Sequence, residues 1–187
     1  DLGVTVNTTT RHISDTLTAT AQSINYPAVT DTATRTTKSP APVLLVDDDR
    51  WYSFAAEYQE ALAANNIPYD YWLVPKSWIG PVPSSPPPTT LQMYPLTVWY
   101  TAYDWHETLT PTEEDRLATY LENGGRLLFS SQDYLYTSGF TDFATDFLGM
   151  LNYTDGLTTT QTAGAVGSPI ADELGPFELF YPFRNWS

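Results

Sequence analysis

The sequence predicts an α/β protein in which a parallel sheet lies between helix layers, preceded by a short all-β segment. From residue 43 onward, short apolar runs alternate with stretches whose apolar residues recur at helical spacing, a pattern typical of parallel sheets. Residues 1–38 instead alternate small apolar residues with Thr or Ser, which favours strands. We therefore expect a β segment over residues 1–38, a linker over residues 39–42 and one α/β domain over residues 43–187.

The amino-terminal segment contains three candidate strands, at residues 3–7, 16–22 and 33–37. Its sequence DTLTATAQSINYPAVTDTATRTT resembles the last strands of the immunoglobulin-like β-sandwich repeats of secreted bacterial proteins. Three short strands bury too little surface to be stable alone. We therefore expect them to complete a sheet by pairing with a neighbouring molecule or with the body of this chain. The SPAP stretch at residues 39–42 is expected to be a stiff linker.

The α/β region opens with the run VLLVDDD, an apolar strand that ends in three consecutive carboxylates. In open α/β sheets the carboxyl ends of the strands line the ligand-binding crevice. A helix is predicted from near Trp51. We expect Asp47 or Asp48 to cap it, because carboxylates are favoured at the positive end of a helix. The next two strands are predicted at residues 69–74 and 96–101.

Proline governs the connection between those two strands, where residues 80–90 read GPVPSSPPPTT. Proline disfavours both helix interiors and sheet pairing, so we expect an extended surface loop held by the aromatic residues Trp78 and Tyr94. A proline-rich docking ligand is the functional alternative for this segment.

A capping box predicts the next helix, with Thr110 at the N-cap, Pro111 at the first helical position and Glu113 three residues after the cap. An Asn-Gly-Gly sequence at residues 123–125 ends it. The remaining predicted elements follow in order: a strand at residues 126–130, a helix at residues 140–148 and a fifth strand at residues 150–153.

The stretch GGRLLFSSQDYLY, after TPTEEDRLATYLENGG, resembles the nucleophile turn of the class I glutamine amidotransferase-like superfamily. The resemblance spans residues 43–153 and implies a flavodoxin-like fold. It places the nucleophile's position on Ser131, and the glycine expected two residues later is Asp133. The two histidines of the chain are His12 and His106, and neither matches the catalytic base of the family. The resemblance therefore implies a module that hydrolyses no glutamine amide.

A different hydrolase is one alternative. His106 follows the third predicted strand and Ser131 follows the fourth, so both are expected at the same edge of the sheet. With Asp104 or Asp133 they would form a triad-like set in which Ser131 is the nucleophile and His106 the base. The opposing interpretation is that Ser131 and Gln132 cap the helix that follows.

A divalent-cation site is the second alternative. Asp47, Asp48 and Asp49, together with Asp133, offer the oxygen ligands that Ca²⁺ or Mg²⁺ prefers. Adjacent residues cannot all point at one ion, so we expect a set such as Asp47, Asp49 and Asp133. The sequence indicates no other cofactor. Trp105, an aromatic residue at the same edge, is predicted to form a binding surface with Asp47 and Asp48.

Composition excludes several classes of partner. The net charge is -14, from 8 Lys and Arg against 22 Asp and Glu, which argues against nucleic acid and anionic lipid. The absence of cysteine excludes disulfides, thiolate metal sites and a cysteine nucleophile. No apolar run is long enough to insert into a membrane. A cysteine-free, Thr-rich and acidic chain indicates an extracellular or cell-surface location.

Two phosphate-based functions are also excluded. The VLLVDDD run resembles the start of response-regulator receiver domains, but those domains need a lysine late in the fold and no lysine follows Lys76. No glycine-rich phosphate cradle follows the first strand, and three carboxylates there would repel phosphate.

We therefore expect a non-catalytic structural, assembly or binding module of a secreted or cell-surface bacterial protein. Its predicted partners are other copies of itself or other domains of the parent protein, reached through the amino-terminal strands. The hydrolase and the divalent-cation module are the alternatives.

Overall fold

The computed structural model describes residues 8–50, 54–75, 85–154 and 160–179. The chain divides into two compact units, Asp1–Leu151 and Asn152–Ser187. Within the described part of the second unit, two short strands, Gln161–Thr162 and Phe177–Glu178, pair antiparallel. The first unit contains the elements that follow. None of the helices in the described ranges is long and apolar enough to cross a bilayer.

A four-stranded parallel sheet forms the centre of the first unit. Its strands are β3 (Val43–Asp47), β4 (Tyr69–Leu73), β5 (Leu96–Ala102) and β6 (Arg126–Ser131), arranged in the order β4-β3-β5-β6. All three pairings are parallel. In this order β4 pairs with one edge of β3, and the later strands β5 and β6 add on the other side of β3, which is the flavodoxin-like layout. The predicted α/β fold class is therefore confirmed.

Helices cover both faces of the sheet. On one face, Leu44 and Val46 pack with Trp99 and with Leu117 and Tyr120 of α3 (Pro111–Glu122). The opposite face is packed beneath α1 (Ala55–Ala64) and contains Val43, Leu45, Val98, Tyr100, Phe54, Tyr58 and Leu62. Because β3 is buried on both faces, its sequence is a continuous apolar run instead of an alternating one.

The predicted capping box of α3 is confirmed. The backbone N–H of Glu113 donates to Thr110 Oγ1 at 3.3 Å, and Glu113 Oε2 accepts from the backbone N–H of Thr110 at 2.8 Å. After the helix, Gly124 adopts a left-handed conformation with φ +86°. The side chain of Tyr120, one turn earlier, packs against the residues that follow the helix. Its hydroxyl donates to the carbonyls of Tyr94 and Arg126 at 3.0 and 3.1 Å.

The amino-terminal segment forms an antiparallel two-stranded ribbon of β1 (Ser14–Gln22) and β2 (Thr30–Lys38). The strands predicted at residues 16–22 and 33–37 are therefore confirmed. The strand predicted at residues 3–7 lies outside the described residues. β1 is exposed along its whole length, and β2 is exposed except at Thr37.

The structure differs from the sequence-based expectation in the connection before β5. The short helix α2 (Pro88–Leu91) begins inside the stretch expected to be an extended loop. Pro88 occupies its first turn, where the missing N–H has no intrahelical partner and the fixed φ suits a helix. Tyr94 is buried as expected, whereas Trp78 and the rest of residues 76–84 lie outside the described residues.

The region after β6 also differs. In place of one helix at residues 140–148, the chain forms α4 (Tyr134–Ser138), a turn at Gly139 with φ +68°, and a π-helical turn at Phe143–Phe147. Residues 150–153 are irregular, so the predicted fifth strand is wrong. The reason is local. The Leu148 N–H donates to the carbonyl of Phe143 at 3.2 Å and closes the π-helical turn, and the Met150 N–H then donates back to the carbonyl of Ala144 at 3.0 Å.

Gly125 provides a direct test of how Tyr120 of α3 packs against the chain that follows the helix. A Cβ atom there would overlap the ring of Tyr120. We expect Gly125→Ala to lower the free energy of unfolding by about 2 kcal/mol, because overpacking forces a buried aromatic ring to move. Urea titration measures this change.

Gly124→Asn is the matched control, since no heavy atom lies within 4 Å of a Cβ at that position and asparagine tolerates positive φ. Equal losses in the two variants would contradict the packing explanation.

Candidate functional site

The three carboxylates at the end of β3 are all buried, with 4, 0 and 2% exposure for Asp47, Asp48 and Asp49. Because successive residues of a strand point to opposite faces, Asp47 and Asp48 meet different partners. Asp47 accepts a hydrogen bond from the hydroxyl of Tyr71, and Asp48 Oδ2 accepts from the indole N–H of Trp99 at 2.9 Å.

Within the described residues, α1 has no side-chain hydrogen bond at its N-cap, Phe54, so the expectation that Asp47 or Asp48 caps this helix is wrong. Instead, Asp49 Oδ2 accepts from the backbone N–H of Phe54 at 2.9 Å, just before the helix begins at Ala55. Asp49 thus holds the residue that precedes the first turn of α1, whereas Asp47 and Asp48 bond to side chains of the neighbouring strands.

A buried ion pair joins the loops after β3 and β5. The Arg50 Nε–H donates to both carboxylate oxygens of Asp104, at 2.9 and 3.0 Å, and the two side chains are 2% and 0% exposed. Another guanidinium N–H donates to the carbonyl of His106. Arg50 itself has φ +60°, a conformation that a non-glycine residue adopts only when its surroundings require it.

The position of this ion pair has a chemical consequence. β3 and β5 are the neighbouring strands at which the strand order reverses, and open α/β sheets bind ligands in the crevice beyond that point. Here the Arg50 side chain lies between the two loops and satisfies Asp104. Asp104 is held further by the backbone N–H of His106 at 3.1 Å, and its carbonyl accepts from Thr108 Oγ1 at 2.6 Å.

Burial and like charge change the acidity of this cluster. Burial, together with the nearby carboxylates of Asp47 and Asp104, raises the pKa of Asp49 to about 7, against the hydrogen bond from the Phe54 N–H, which lowers it. Burial and the carboxylate of Asp47 also raise the pKa of Tyr71 and of Tyr100 above their ordinary value of 10.0. Asp49 therefore keeps a proton up to nearly neutral pH, and both phenols stay protonated.

Ser131, the candidate nucleophile, is engaged by its neighbours. Its Oγ accepts from Thr101 Oγ1 at 2.8 Å and from the backbone N–H of Tyr134 at 3.1 Å, which caps the start of α4. The His106 side chain is 47% exposed, with Nδ1 3.8 Å from Glu107 Oε2. The hydrogen bonds of Ser131 within the described residues therefore go to Thr101 and Tyr134 and not to His106.

The candidate metal ligands are only partly brought together. Asp47 and Asp49 are neighbours, as the hydrogen bond from the Asp49 N–H to Asp47 Oδ1 at 3.4 Å indicates. Asp133 lies after β6, where its carbonyl accepts from the backbone N–H of Thr137 at 3.0 Å. Across the described ranges, no group of three or more Asp, Glu or His side chains is arranged to hold a metal ion.

Trp105 is 50% exposed and contacts the His106 ring edge-on, with ring centroids 6.3 Å apart. Beside this loop lies a cleft of about 280 Å³, which we call the hydroxyl cleft. Six polar side chains line it: Glu107, Thr110, Glu114, Thr137, Ser138 and Thr141.

Comparison with protein-family models, curated proteins and solved structures finds no match. The amidotransferase resemblance therefore stays a prediction, supported in this structure by the strand order alone.

Two features of the site were missed from the sequence. Arg50 is one of only eight basic residues and directly follows three acids, a signal that could have indicated its pairing. The hydroxyl cleft had no comparable signal, because its residues come from segments separated along the chain and Thr is common throughout.

The acidity of Asp49 predicts a pH-dependent stability. Between its ordinary pKa of 3.8 and about 7, folded Asp49 holds a proton that the unfolded chain has released. Its contribution to stability is therefore full below 3.8 and falls as pH rises toward 7, by up to about 1 kcal/mol per pH unit. Asp49→Asn, which stays neutral, should gain stability relative to the wild type as the pH rises from about 4 to about 7, as measured by urea unfolding.

Asp70→Asn is the control of opposite sign. Partial burial opposes the ionisation of Asp70, but hydrogen bonds from Ala41, Lys38 and Tyr94 and the charge of Lys38 hold its pKa below 3.8. The contribution of ionised Asp70 to stability is present above pH 3.8 and is lost as the pH falls through the lowered pKa. The free energy of unfolding of Asp70→Asn should therefore approach that of the wild type only in acid. If the stabilities of Asp49→Asn and the wild type change with pH in parallel, the raised pKa of Asp49 is wrong.

The Arg50–Asp104 pair predicts strong coupling. We expect Arg50→Met to destabilise the fold by about 3 kcal/mol, because Asp104 stays buried without its counter-charge. Adding Asp104→Leu should recover about 2 kcal/mol relative to the sum of the single changes, as measured by a double-mutant cycle.

Lys38→Met is the comparison for an exposed pair. Lys38 and Asp70 are 3.2 Å apart with side chains 41% and 26% exposed, so solvent screens their attraction and the loss should stay below about 1 kcal/mol. A similar loss for Arg50→Met would mean that burial adds nothing to the Arg50–Asp104 pair.

Proposed function

We propose that this chain is a non-catalytic assembly module of a secreted or cell-surface multi-domain bacterial protein. It joins a neighbouring β-sheet through the β1–β2 ribbon. The observation that carries the proposal is a ribbon of two nine-residue strands whose faces are solvent-exposed, joined to the α/β body through the carboxylate of Asp70.

The ribbon's hydrogen bonds define which backbone groups are available to a partner. The N–H of Ser23 donates to the carbonyl of Val29 at 3.0 Å, and the N–H of Ser39 donates to that of Ile13 at 2.9 Å. In the continuous register between these ends, odd-numbered residues bond to each other across the ribbon. The even-numbered residues direct their N–H and C=O groups outward. The N–H groups of Thr16 and Thr32 already donate to the carboxylates of Asp15 and Asp31, each at 2.9 Å. The outward N–H groups left for a partner are therefore those of Thr18, Thr20, Thr34 and Thr36.

The outer edges of the ribbon have neither a bulge nor a proline to prevent pairing. The register runs from Ser14–Lys38 to Gln22–Thr30 without a bulge, and neither strand contains proline. Within the described residues these two strands form a sheet of their own, separate from the parallel sheet. Regular, extended edges of this kind pair readily with another strand unless bulges, proline or charge prevent it. This supports strand addition by a neighbouring sheet.

Charge also favours association at the ribbon. Its two acids, Asp15 and Asp31, are balanced by two bases, Arg35 and Lys38, although the chain carries a net charge of -14. An approaching acidic chain, including a second copy, therefore meets no excess of like charge there. Cross-strand Thr hydroxyls stabilise the ribbon itself, with 3.2 Å between the Oγ1 atoms of Thr16 and Thr36.

Asp70 at the start of β4 anchors the ribbon to the body. Its carboxylate accepts from Lys38 Nζ at 3.2 Å, from the Ala41 N–H at 2.8 Å and from the Tyr94 hydroxyl at 3.1 Å. Arg11 adds a hydrogen bond to the carbonyl of Met93 at 2.7 Å. These contacts hold the ribbon in a defined orientation, which reduces the entropy that docking would otherwise cost.

The absence of catalysis is the second part of the proposal. It is supported by the engagement of Ser131 with Thr101 and Tyr134, and by the Arg50 side chain between the loops at the switch point. The hydrolase alternative would require the Ser131 hydroxyl to exchange these partners for His106.

Hydrogen exchange on the full natural polypeptide that carries this chain tests the assembly proposal. We expect the outward amides of Thr18 and Thr34 to exchange at least about tenfold more slowly there than in the isolated chain at low concentration, because a partner strand bonds to them. Thr18→Pro and Thr34→Pro remove those donors and should abolish the protection of neighbouring even-numbered amides.

Thr18→Val and Thr34→Val are the matched controls, since valine keeps the N–H and favours strands. Fast exchange of both outward edges in the full polypeptide, with a monomeric mass by light scattering, would overturn the proposal.

A further inference from the structure

The hydroxyl cleft lies on the body of the first unit, between the loop after β5 and the α4 region. Leu109 and Pro111 provide apolar surface in it beside the six polar side chains. Among the described residues that line the cleft there is no lysine or arginine, and two of them are carboxylates, Glu107 and Glu114. An anionic ligand would therefore be repelled, whereas a neutral ligand with many hydroxyls could both donate to carboxylates and accept from hydroxyls.

Glu114 is held in place by two hydrogen bonds. The Tyr134 hydroxyl donates to its Oε1 at 2.6 Å and Thr141 Oγ1 donates to the same atom at 3.1 Å. Burial and the hydrogen bond to Glu114 raise the pKa of Tyr134 above its ordinary value of 10.0, so the phenol remains a donor. Both bonds use Oε1, and Oε2 has no hydrogen-bond partner within the described residues. The carboxylate is thus oriented before a ligand arrives.

The hydroxyl groups come from three separate elements. Thr110 is the N-cap of α3, Thr137 and Ser138 end α4, and Thr141 precedes the π-helical turn. Thr137 is itself fixed, because its Oγ1 donates to Thr108 Oγ1 at 2.8 Å. Rigid elements that present hydroxyls into one cleft form a template for a ligand with hydroxyls of its own.

Exposed aromatic residues lie close in sequence to the residues that line the cleft. Trp105 is 50% exposed on the loop after β5, while Tyr136 and Phe140, 62% and 47% exposed, belong to the α4 segment. Aromatic faces pack against the C–H faces of pyranose rings through dispersion and apolar contact, while polar groups bind the ring hydroxyls.

We propose that the hydroxyl cleft binds a neutral sugar unit of a glycan, with Glu114 and the surrounding hydroxyls as hydrogen-bonding groups and Trp105 as the stacking ring. This goes beyond the assembly role and does not depend on it, since the cleft uses no residue of the ribbon. A module that joins an assembly through its ribbon would then bind a polysaccharide through the hydroxyl cleft on its α/β body.

Affinity electrophoresis in native gels tests the proposal, with hydroxyethylcellulose, galactomannan, xyloglucan and dextran as four neutral probes. We expect at least one to retard the wild-type chain. Trp105→Ala should weaken that retardation by about tenfold in apparent affinity, the size of one lost stacking contact. Ser138→Leu, which fills the cleft with an apolar side chain, should weaken it as well.

Tyr26→Ala is the matched control, because Tyr26 is 71% exposed but lies in the turn of the ribbon. It should leave retardation unchanged, as should Thr34→Pro, which separates this test from the assembly proposal. Circular dichroism checks the fold of each variant. The proposal is overturned if none of the four polysaccharides retards the chain, or if Trp105→Ala and Ser138→Leu are both retarded like wild type.

Discussion

The first unit depends on how it buries charge at the carboxyl ends of β3 and β5. Four carboxylates, those of Asp47, Asp48, Asp49 and Asp104, are at most 4% exposed, and one guanidinium, that of Arg50, lies among them. Burying a charge without a partner costs several kcal/mol. The fold meets this cost with the Arg50 ion pair, with donors from Tyr71, Trp99 and Phe54, and with a proton on Asp49.

The same arrangement shifts the available surfaces away from the switch point. Arg50 connects the loops that would border a ligand, so the crevice expected of a flavodoxin-like sheet contains the chain's own side chains. The ribbon, with its outward Thr backbone groups, and the hydroxyl cleft both lie on the first unit, away from the strand ends where Arg50 is buried.

Prediction from the sequence succeeded where the signal is contained in a few neighbouring residues. The apolar run of β3 and the capping box at Thr110 were found because burial on both faces and reciprocal capping leave local patterns. It failed where a general rule does not hold at one position of an element, or where a residue expected in one element makes a hydrogen bond elsewhere. Pro88 starts a helix because the first turn tolerates proline, and Met150 bonds back to Ala144 instead of joining the sheet.

By itself the sequence determined the α/β class, the parallel strands and the acidic edge, because periodicity and turn residues act over a few positions. Only the tertiary structure decided which partner each carboxylate takes. Asp48 meets Trp99 across 51 positions and Arg50 meets Asp104 across 54. Pairings at that separation depend on strand order and on a single positive φ at Arg50. No pattern of neighbouring residues encodes the strand order or the backbone conformation of Arg50. Both decide which polar groups are paired within the chain and which remain available to bind a partner.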